Sequence, residues 1–341
     1  MKTPIKTLLK PLSLALFVAA TLLTQSACNR TSPHFCKAIG GPEGEWGNSL
    51  IQTSDSGYAI AGATISFGAG GGEVYVVKLD ANGNLQWTKT IGGESGDSGS
   101  SLIQTSDGGY VIAGSTTSFG AGKEDVYVVK LDANGNLQWT KTIGGPEYDW
   151  GNSLIQTSDG GYAIAGTTGS FGAGLLDVYV VKLDANGNLQ WTKTIGGPES
   201  EAGFSLIQTS DGGYAIAGYT SSFDAGGLDV YVVKLNANGN LQWTKTIGAK
   251  NKNYSKASLI QTSDGGYAIA GTTKSFGAGE ADVYVVKLDK DGNACCAISQ
   301  TSQVGSGGTL SSPTSSIGSG GILTAPTSST SSGGTLTNQC P

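Results

Sequence analysis

An all-β fold of short antiparallel sheets stacked around one axis is predicted by three observations. A unit of about 52 residues recurs along the chain, each copy holds four short apolar segments separated by turn chemistry, and after residue 27 no stretch sustains a helical period. The marker tyrosine of Ser-Asp-Gly-Gly-Tyr (Ser-Asp-Ser-Gly-Tyr in the first copy) falls at Tyr58, Tyr110, Tyr162, Tyr214 and Tyr267. The spacings are 52, 52, 52 and 53, so five copies are present. Gly fills 55 of 341 positions and charged residues only 13%, a balance that suits tight turns better than solvated helices.

The third copy shows how one unit must fold. Its first strand, over residues 153–157, ends at Ser158-Asp159-Gly160-Gly161, whose glycines supply the positive φ of a tight hairpin. A second strand at 162–168 is rich in Ala and Gly, so neighbouring backbones can approach closely, as the narrow inner part of a wedge requires. After a longer loop at 169–176 comes a third strand at 177–183, apolar on both faces, with Lys182 placed to snorkel at its end. Asp184-Ala185-Asn186-Gly187-Asn188 turns the chain into a fourth strand, where Leu189, Trp191, Lys193 and Ile195 share one face. A single meander cannot bury two apolar faces, so copies must stack, and radial closure leaves few exposed edges. The expected fold is a five-bladed β-propeller of four-stranded antiparallel blades over residues 35–299.

These units resemble the secreted bacterial and archaeal β-propeller repeat proteins, whose pattern is DGGY, then DVYVVK, then D-x-NGN-x-x-W and a terminal GG. The resemblance covers residues 35–293 and implies a fold much more than an activity.

The two ends of the array imply how it closes. Phe35-Cys36-Lys37-Ala38-Ile39-Gly40-Gly41 aligns with Trp87-Thr88-Lys89-Thr90-Ile91-Gly92-Gly93, so the chain begins with a lone fourth strand, whereas the fifth copy degenerates after Asn293. The N-terminal strand is therefore expected to complete the last blade. That would bring Cys36 near Cys295 or Cys296, and a disulfide there would close a loop of roughly 260 residues and add about 5 kcal/mol. Other pairings, including Cys340, and free thiols stay open.

Outside the repeats, Lys2, Lys6 and Lys10 followed by an apolar run from Leu12 to Leu23 read as a signal peptide over residues 1–27, too short to span a bilayer comfortably. Gln25-Ser26-Ala27-Cys28 resembles a bacterial lipobox, with Gln25 where Leu is usual, so Cys28 is a lipidation candidate at the head of a tether over 28–34. The expected location is an outer-membrane or cell-surface lipoprotein, or a periplasmic or secreted protein if Cys28 is unmodified. Four further cysteines form an even set, which suits an oxidising compartment. Residues 300–341 are rich in Ser, Thr, Gly and Pro, with a loose recurrence at 307–310, 320–323 and 333–336. A disordered or loosely packed tail is expected, with short strands packing back on the propeller as the alternative.

Removal of residues 1–27 leaves 17 basic against 26 acidic side chains, a formal charge of −9, which argues against nucleic acid or an anionic membrane face as partner. The one histidine, His34, supports neither an ordinary nucleophile–His pair nor zinc-ligand spacing, no GxSxG occurs, and no metal or cofactor is expected. The loops joining second to third strands and one copy to the next share a face, which is the default binding face. There Glu45, Asp97, Asp149 and Glu201 occupy one slot in successive copies, and Trp46 and Trp150 follow it directly. Two readings compete: the carboxylates accept backbone N–H bonds that fix the loops, or they form a ring for cations or sugar hydroxyls with the tryptophans as stacking platforms. The fifth junction differs, with Lys250 and Lys252 in a basic, longer loop. The expectation is a monomeric, non-enzymatic binding or surface-scaffold protein for a protein or glycan ligand, touching membrane only through Cys28. The alternative is a glycan-active hydrolase or lyase working at that fifth junction.

Overall fold

A computed structural model of the chain describes residues 34–68, 70–223, 227–248, 257–274 and 281–294, with four short strands at 303–305, 309–311, 316–318 and 337–338. The signal-peptide and lipidation candidates, Lys250, Lys252, Cys295, Cys296 and Cys340 lie outside the described residues. Strand β1 (Lys37–Ala38) precedes the repeats. Sheet 1 holds β2 (Glu45–Gln52), β3 (Tyr58–Thr64), β4 (Glu73–Leu79) and β5 (Leu85–Ile91). Sheet 2 holds β6 (Asp97–Gln104), β7 (Tyr110–Thr116), β8 (Asp125–Leu131) and β9 (Leu137–Gly144). Sheet 3 holds β10 (Asp149–Gln156), β11 (Tyr162–Thr168), β12 (Asp177–Leu183) and β13 (Leu189–Gly196). Sheet 4 holds β14 (Glu201–Gln208), β15 (Tyr214–Thr220), β16 (Asp229–Leu235) and β17 (Leu241–Gly248). Sheet 5 has three strands, β18 (Ser258–Gln261), β19 (Tyr267–Thr273) and β20 (Asp282–Leu288). The described chain is thus all-β, and its antiparallel meanders are those of a β-propeller.

Local chemistry explains each meander. Gly160 (φ 81°) and Gly187 (φ 77°) take the left-handed conformation that the two hairpin turns need. In the first copy Ser56 stands where the others have Gly and still adopts φ 65°. The first strand of sheet 3 bulges between Gly151 and Ser153. Opposite the bulge, a Cβ on Gly166 would lie 1.7 Å from the Trp150 carbonyl oxygen, so only glycine fits.

Packing between sheets follows the alternation of the third strand. Val178 and Val180 face forward onto Leu206, Tyr214 and Ile216 of sheet 4, while Tyr179, Val181 and Leu183 face back into the cluster built with sheet 2. Both sets are buried, each valine contributing roughly 2 kcal/mol by area. Lys182 does not snorkel. It is 2% exposed and its ammonium meets Asp159 at 2.9 Å and the Leu183 carbonyl at 2.9 Å, tying the third strand to the Ser-Asp-Gly-Gly turn. The same pair recurs as Lys78–Asp55, Lys130–Asp107 and Lys234–Asp211.

The two ends of the array depart from expectation. β1 does not pair with β20; it pairs with β24 (Thr337–Asn338). β1 nonetheless sits against sheet 1, where Phe35 meets Tyr58 edge-on at 5.5 Å, as Trp87 meets Tyr110 at 5.7 Å one junction later. Sheet 5 leaves its forward face open, with Val283 83% and Val285 63% exposed where Val178 and Val180 are 1% and 0%. Sheet 1 leaves its backward face open, with Leu50 64% exposed where Leu154 is 4%. The tail also differs from a strandless one. β21 (Gln303–Gly305), β22 (Thr309–Ser311) and β23 (Ser316–Gly318) add a fifth strand to the outer edges of sheets 4, 3 and 2.

Candidate functional site

The loop face is knitted from two loops per junction. The loop before each third strand runs beside the loop that enters the next sheet, joined by parallel bridges at Gly72–Gly96, Glu124–Tyr148 and Leu176–Ser200. Hydrogen bonds seal each bridge, as where the Glu201 N–H donates to the Leu176 carbonyl at 2.8 Å.

The four acidic slots sit under these loops. Asp97, Asp149 and Glu201 are buried, and Glu45, at the open end, is half-buried. The Gly93 N–H donates to Asp97 and the Gly145 N–H to Asp149, both at 2.8 Å, with Ser118 and Ser170 hydroxyls adding bonds of 2.7 Å. Glu201 accepts from the Gly197 N–H at 2.7 Å and the Thr220 hydroxyl at 2.6 Å, and Glu45 from the Gly41 N–H and the Thr64 hydroxyl at 3.0 Å. Each slot therefore fixes the loop before its strand.

A second carboxylate faces three of the slots from the start of the preceding third strand, Glu73 toward Asp97, Asp125 toward Asp149 and Asp177 toward Glu201. Asp177 accepts N–H bonds from Ala173 and Gly174 and so folds its own loop. Its other oxygen, Oδ1, is buried without a hydrogen-bond partner, as are Asp97 Oδ1 and Asp149 Oδ1. Gly196 lies between Asp177 and Glu201: a Cβ there would be 1.8 Å from Asp177 Oδ1 and 2.5 Å from Glu201 Oε2. The two carboxyls share that small space. Burial, opposed by the loop N–H groups and reinforced by Glu201, pushes Asp177 up to about 6, and burial likewise raises Asp125 and Asp149.

An aromatic pair is accessible on this face. Tyr148 is 43% exposed and stacks on Trp150 at 5.6 Å with a 22° interplanar angle. Lys123 reaches over the Tyr148 ring at 5.1 Å and pairs with Glu147 at 2.6 Å. Trp46, the counterpart of Trp150, is exposed elsewhere. It lines, with Phe35, Leu50 and Tyr58, a cavity of about 540 Å³ on the open face of sheet 1. The structure therefore does not bring the two tryptophans into one platform.

Two features were missed in the sequence. The turn aspartates and third-strand lysines pair across 23 residues, and the turn carboxylates are held low. For Asp159 burial works upward, but the Thr157 hydroxyl, the Lys182 ammonium and the Gly161 N–H hold it at about 2. The other is an axial cavity of about 490 Å³ lined by Asn48, Ser100, Asn152, Phe204 and Ala257. Asn48, Ser100, Asn152 and Phe204 lie on the first strands of sheets 1 to 4 and Ala257 just before that of sheet 5, so these strands line one space. The signal was available: the bulge position reads Asn, Ser, Asn, Phe, Ala between neighbours that hardly vary. Among the described residues, Cys36 is an exposed free thiol.

Comparison with known proteins finds two family models, a curated relative and several solved structures. The family model of the outer membrane protein assembly factor BamB matches residues 47–170, and that of a β-propeller domain of unknown function matches residues 209–241. The regulatory protein FlaEY of Caulobacter vibrioides is 27% identical over 225 residues, 58% of this chain. The chain spans 23% of that relative's length. Among solved structures, a protein of unknown function from Bacteroides caccae covers 74% of this chain and 81% of its own at 12% identity and a TM-score of 0.41. The endo-arabinase of Bacteroides thetaiotaomicron covers 75% and 97% at 10% identity and a TM-score of 0.38. The two family matches and the repeated meanders support a β-propeller repeat protein.

Proposed function

We propose that this protein is an exported, non-enzymatic binding propeller that holds a carbohydrate or protein ligand on its loop face, with the stacked Tyr148–Trp150 pair as the contact surface. That stack carries the reading. It is the exposed aromatic platform of the face, flanked by a Lys123–Glu147 pair that can hydrogen-bond a polar ligand, while the buried carboxylates are already engaged with loop N–H groups. Flat aromatic surface beside hydrogen-bonding groups fits a sugar ring best. The match to an outer membrane assembly factor supports an envelope location, with residues 1–27 as signal and Cys28 as lipid anchor.

The same reading takes the five sheets as five blades of one monomeric ring. In such a ring the Val283–Val285 ridge would seat on the Leu50 face of sheet 1, as Val178 and Val180 seat on sheet 4.

A glycan array probed with the protein, and with Tyr148→Ala and Trp150→Ala variants, tests the function. The expected result is binding to a sugar set that both variants lose by about tenfold or more, since an aromatic contact contributes about 1–2 kcal/mol. Binding that both variants retain would remove the platform. Release of glycan fragments, detected by mass spectrometry, would overturn the non-enzymatic reading.

A further inference from the structure

We propose that the axial cavity is a binding site for a neutral sugar, using none of the residues of the Tyr148–Trp150 platform and built from positions at which otherwise matching copies differ. The first strands β2, β6, β10 and β14 each carry one extra residue, Asn48, Ser100, Asn152 and Phe204, at a bulge. A bulged residue stands outside the ladder, and the bulge re-aims its side chain. All four line the cavity, together with Ala257 from the same place in the fifth copy. The four residues that follow are Ser-Leu-Ile-Gln in every copy, so the strand itself does not call for the variation. Identical residues would present the same group on every side. Two amides, a hydroxyl, a phenyl ring and a methyl make an asymmetric site, which suits a ligand that is itself asymmetric.

The polar members are held in place. Asn48 donates from Nδ2 to the Gly99 carbonyl and Asn152 donates to the Gly203 carbonyl, both at 2.9 Å. Each bond orients the carboxamide and leaves its oxygen and second N–H for a ligand. The next residue locks the same strands together: Ser49 accepts from the Leu102 N–H at 3.1 Å and Ser153 from the Leu206 N–H at 3.2 Å. The lining is therefore ordered before anything binds, which lowers the entropy cost of binding.

The aromatic member is supported too. Phe204 packs against Tyr219 of β15 at 5.8 Å between ring centroids. Tyr219 stands where the other copies have Ala63, Ser115, Thr167 and Thr272, and Ala202 opposite it stands where the first three copies have Trp or Ser. The fourth copy thus changes Ala202, Phe204 and Tyr219 together, and the result is a braced ring on the cavity wall. A ring face covers the C–H face of a sugar while amides and hydroxyls meet its hydroxyl groups. A volume of about 490 Å³ suits a small molecule rather than a folded partner.

Saturation-transfer NMR and calorimetry on the purified protein test the proposal, with glucose, galactose, mannose and N-acetylglucosamine as probes and glucuronate as the charged control. The expected result is binding of at least one neutral sugar, weakened about fivefold or more by Asn152→Ala and by Phe204→Ala, since each removes about one hydrogen bond or one ring contact. Ser100→Phe should abolish binding by filling the cavity. Phe204 shows that the bulge accepts a phenyl ring, so this variant keeps the test independent of any instability in Phe204→Ala. Tyr148→Ala should bind as the parent does. A parent that binds none of the neutral sugars, or binding that survives Ser100→Phe, would overturn the proposal. Loss of binding in Tyr148→Ala would overturn it by assigning the sugar to the loop-face platform, and glucuronate binding tighter than every neutral sugar would overturn the ligand class.

Discussion

Val180→Ala and Val285→Ala make the same chemical change at equivalent places in sheets 3 and 5, and their comparison isolates what a neighbouring sheet contributes. Val180 is fully buried against sheet 4, in the cluster with Leu206, Tyr214 and Ile216. Removing two methyl groups there forfeits about 1.6 kcal/mol of transfer free energy, and the residual cavity raises the loss to about 2–3 kcal/mol. Urea unfolding followed by tryptophan fluorescence reads the change, because Trp191 and Trp243 belong to the clusters on either side of sheet 4. The transition covering these sheets should move to lower urea in Val180→Ala. A midpoint unchanged within error would refute the packing argument. Val285 is 63% exposed on sheet 5, so by itself its truncation should cost less than about 0.5 kcal/mol. If the valine ridge seats on sheet 1 as proposed, Val285→Ala should instead cost nearly as much as Val180→Ala. A negligible effect would contradict ring closure while leaving the packing argument intact.

Ser56→Gly should stabilise sheet 1 by roughly 1 kcal/mol, since a non-glycine residue at φ 65° carries a strain that the glycine of the other four copies avoids; an unchanged or lower melting temperature would contradict this. Stability should also fall on both sides of about pH 4–5. Asp55, Asp107, Asp159 and Asp211 are held at about 2, so their contribution is present above the unfolded value near 4 and disappears as pH falls toward 2. Asp177 is raised to about 6, so its protonated form is favoured in the fold, and stability declines as pH rises from about 4 through 6. Melting temperatures across pH 2–8 check both limbs, and Asp177→Asn should flatten the upper one; a maximum above about pH 7 would contradict the sign worked out for Asp177.

Much of the fold is legible in the sequence because its signals are local. Period-two alternation marks the third strand, and Asp-Gly-Gly and Asn-Gly-Asn mark the turns where Gly160 and Gly187 take positive φ. The Lys182–Asp159 pair was not legible because its partners are 23 residues apart and meet only when the second and third strands align in register. Loop fixing by the acidic slots was one of the two readings, but not their burial: Asp149 and Glu201 lie beneath their own loops and the loop of the preceding sheet, which only the stacking creates. The tail strands were legible only as the alternative to a loose tail, because edge pairing uses backbone groups and leaves no hydrophobic period in so short a segment. The aromatic platform was half legible: Trp150 stood out, but its partner is Tyr148 of the same loop rather than Trp46 two sheets away.

The central claim is that the five repeats surround one axis as blades of a closed propeller. Small-angle X-ray scattering of the monomeric protein without residues 1–27 tests it most directly. A closed disc predicts a radius of gyration of about 20 Å and a single-peaked pair-distance distribution. A markedly larger radius with a long-distance tail in that distribution would show an elongated stack of sheets and contradict the claim.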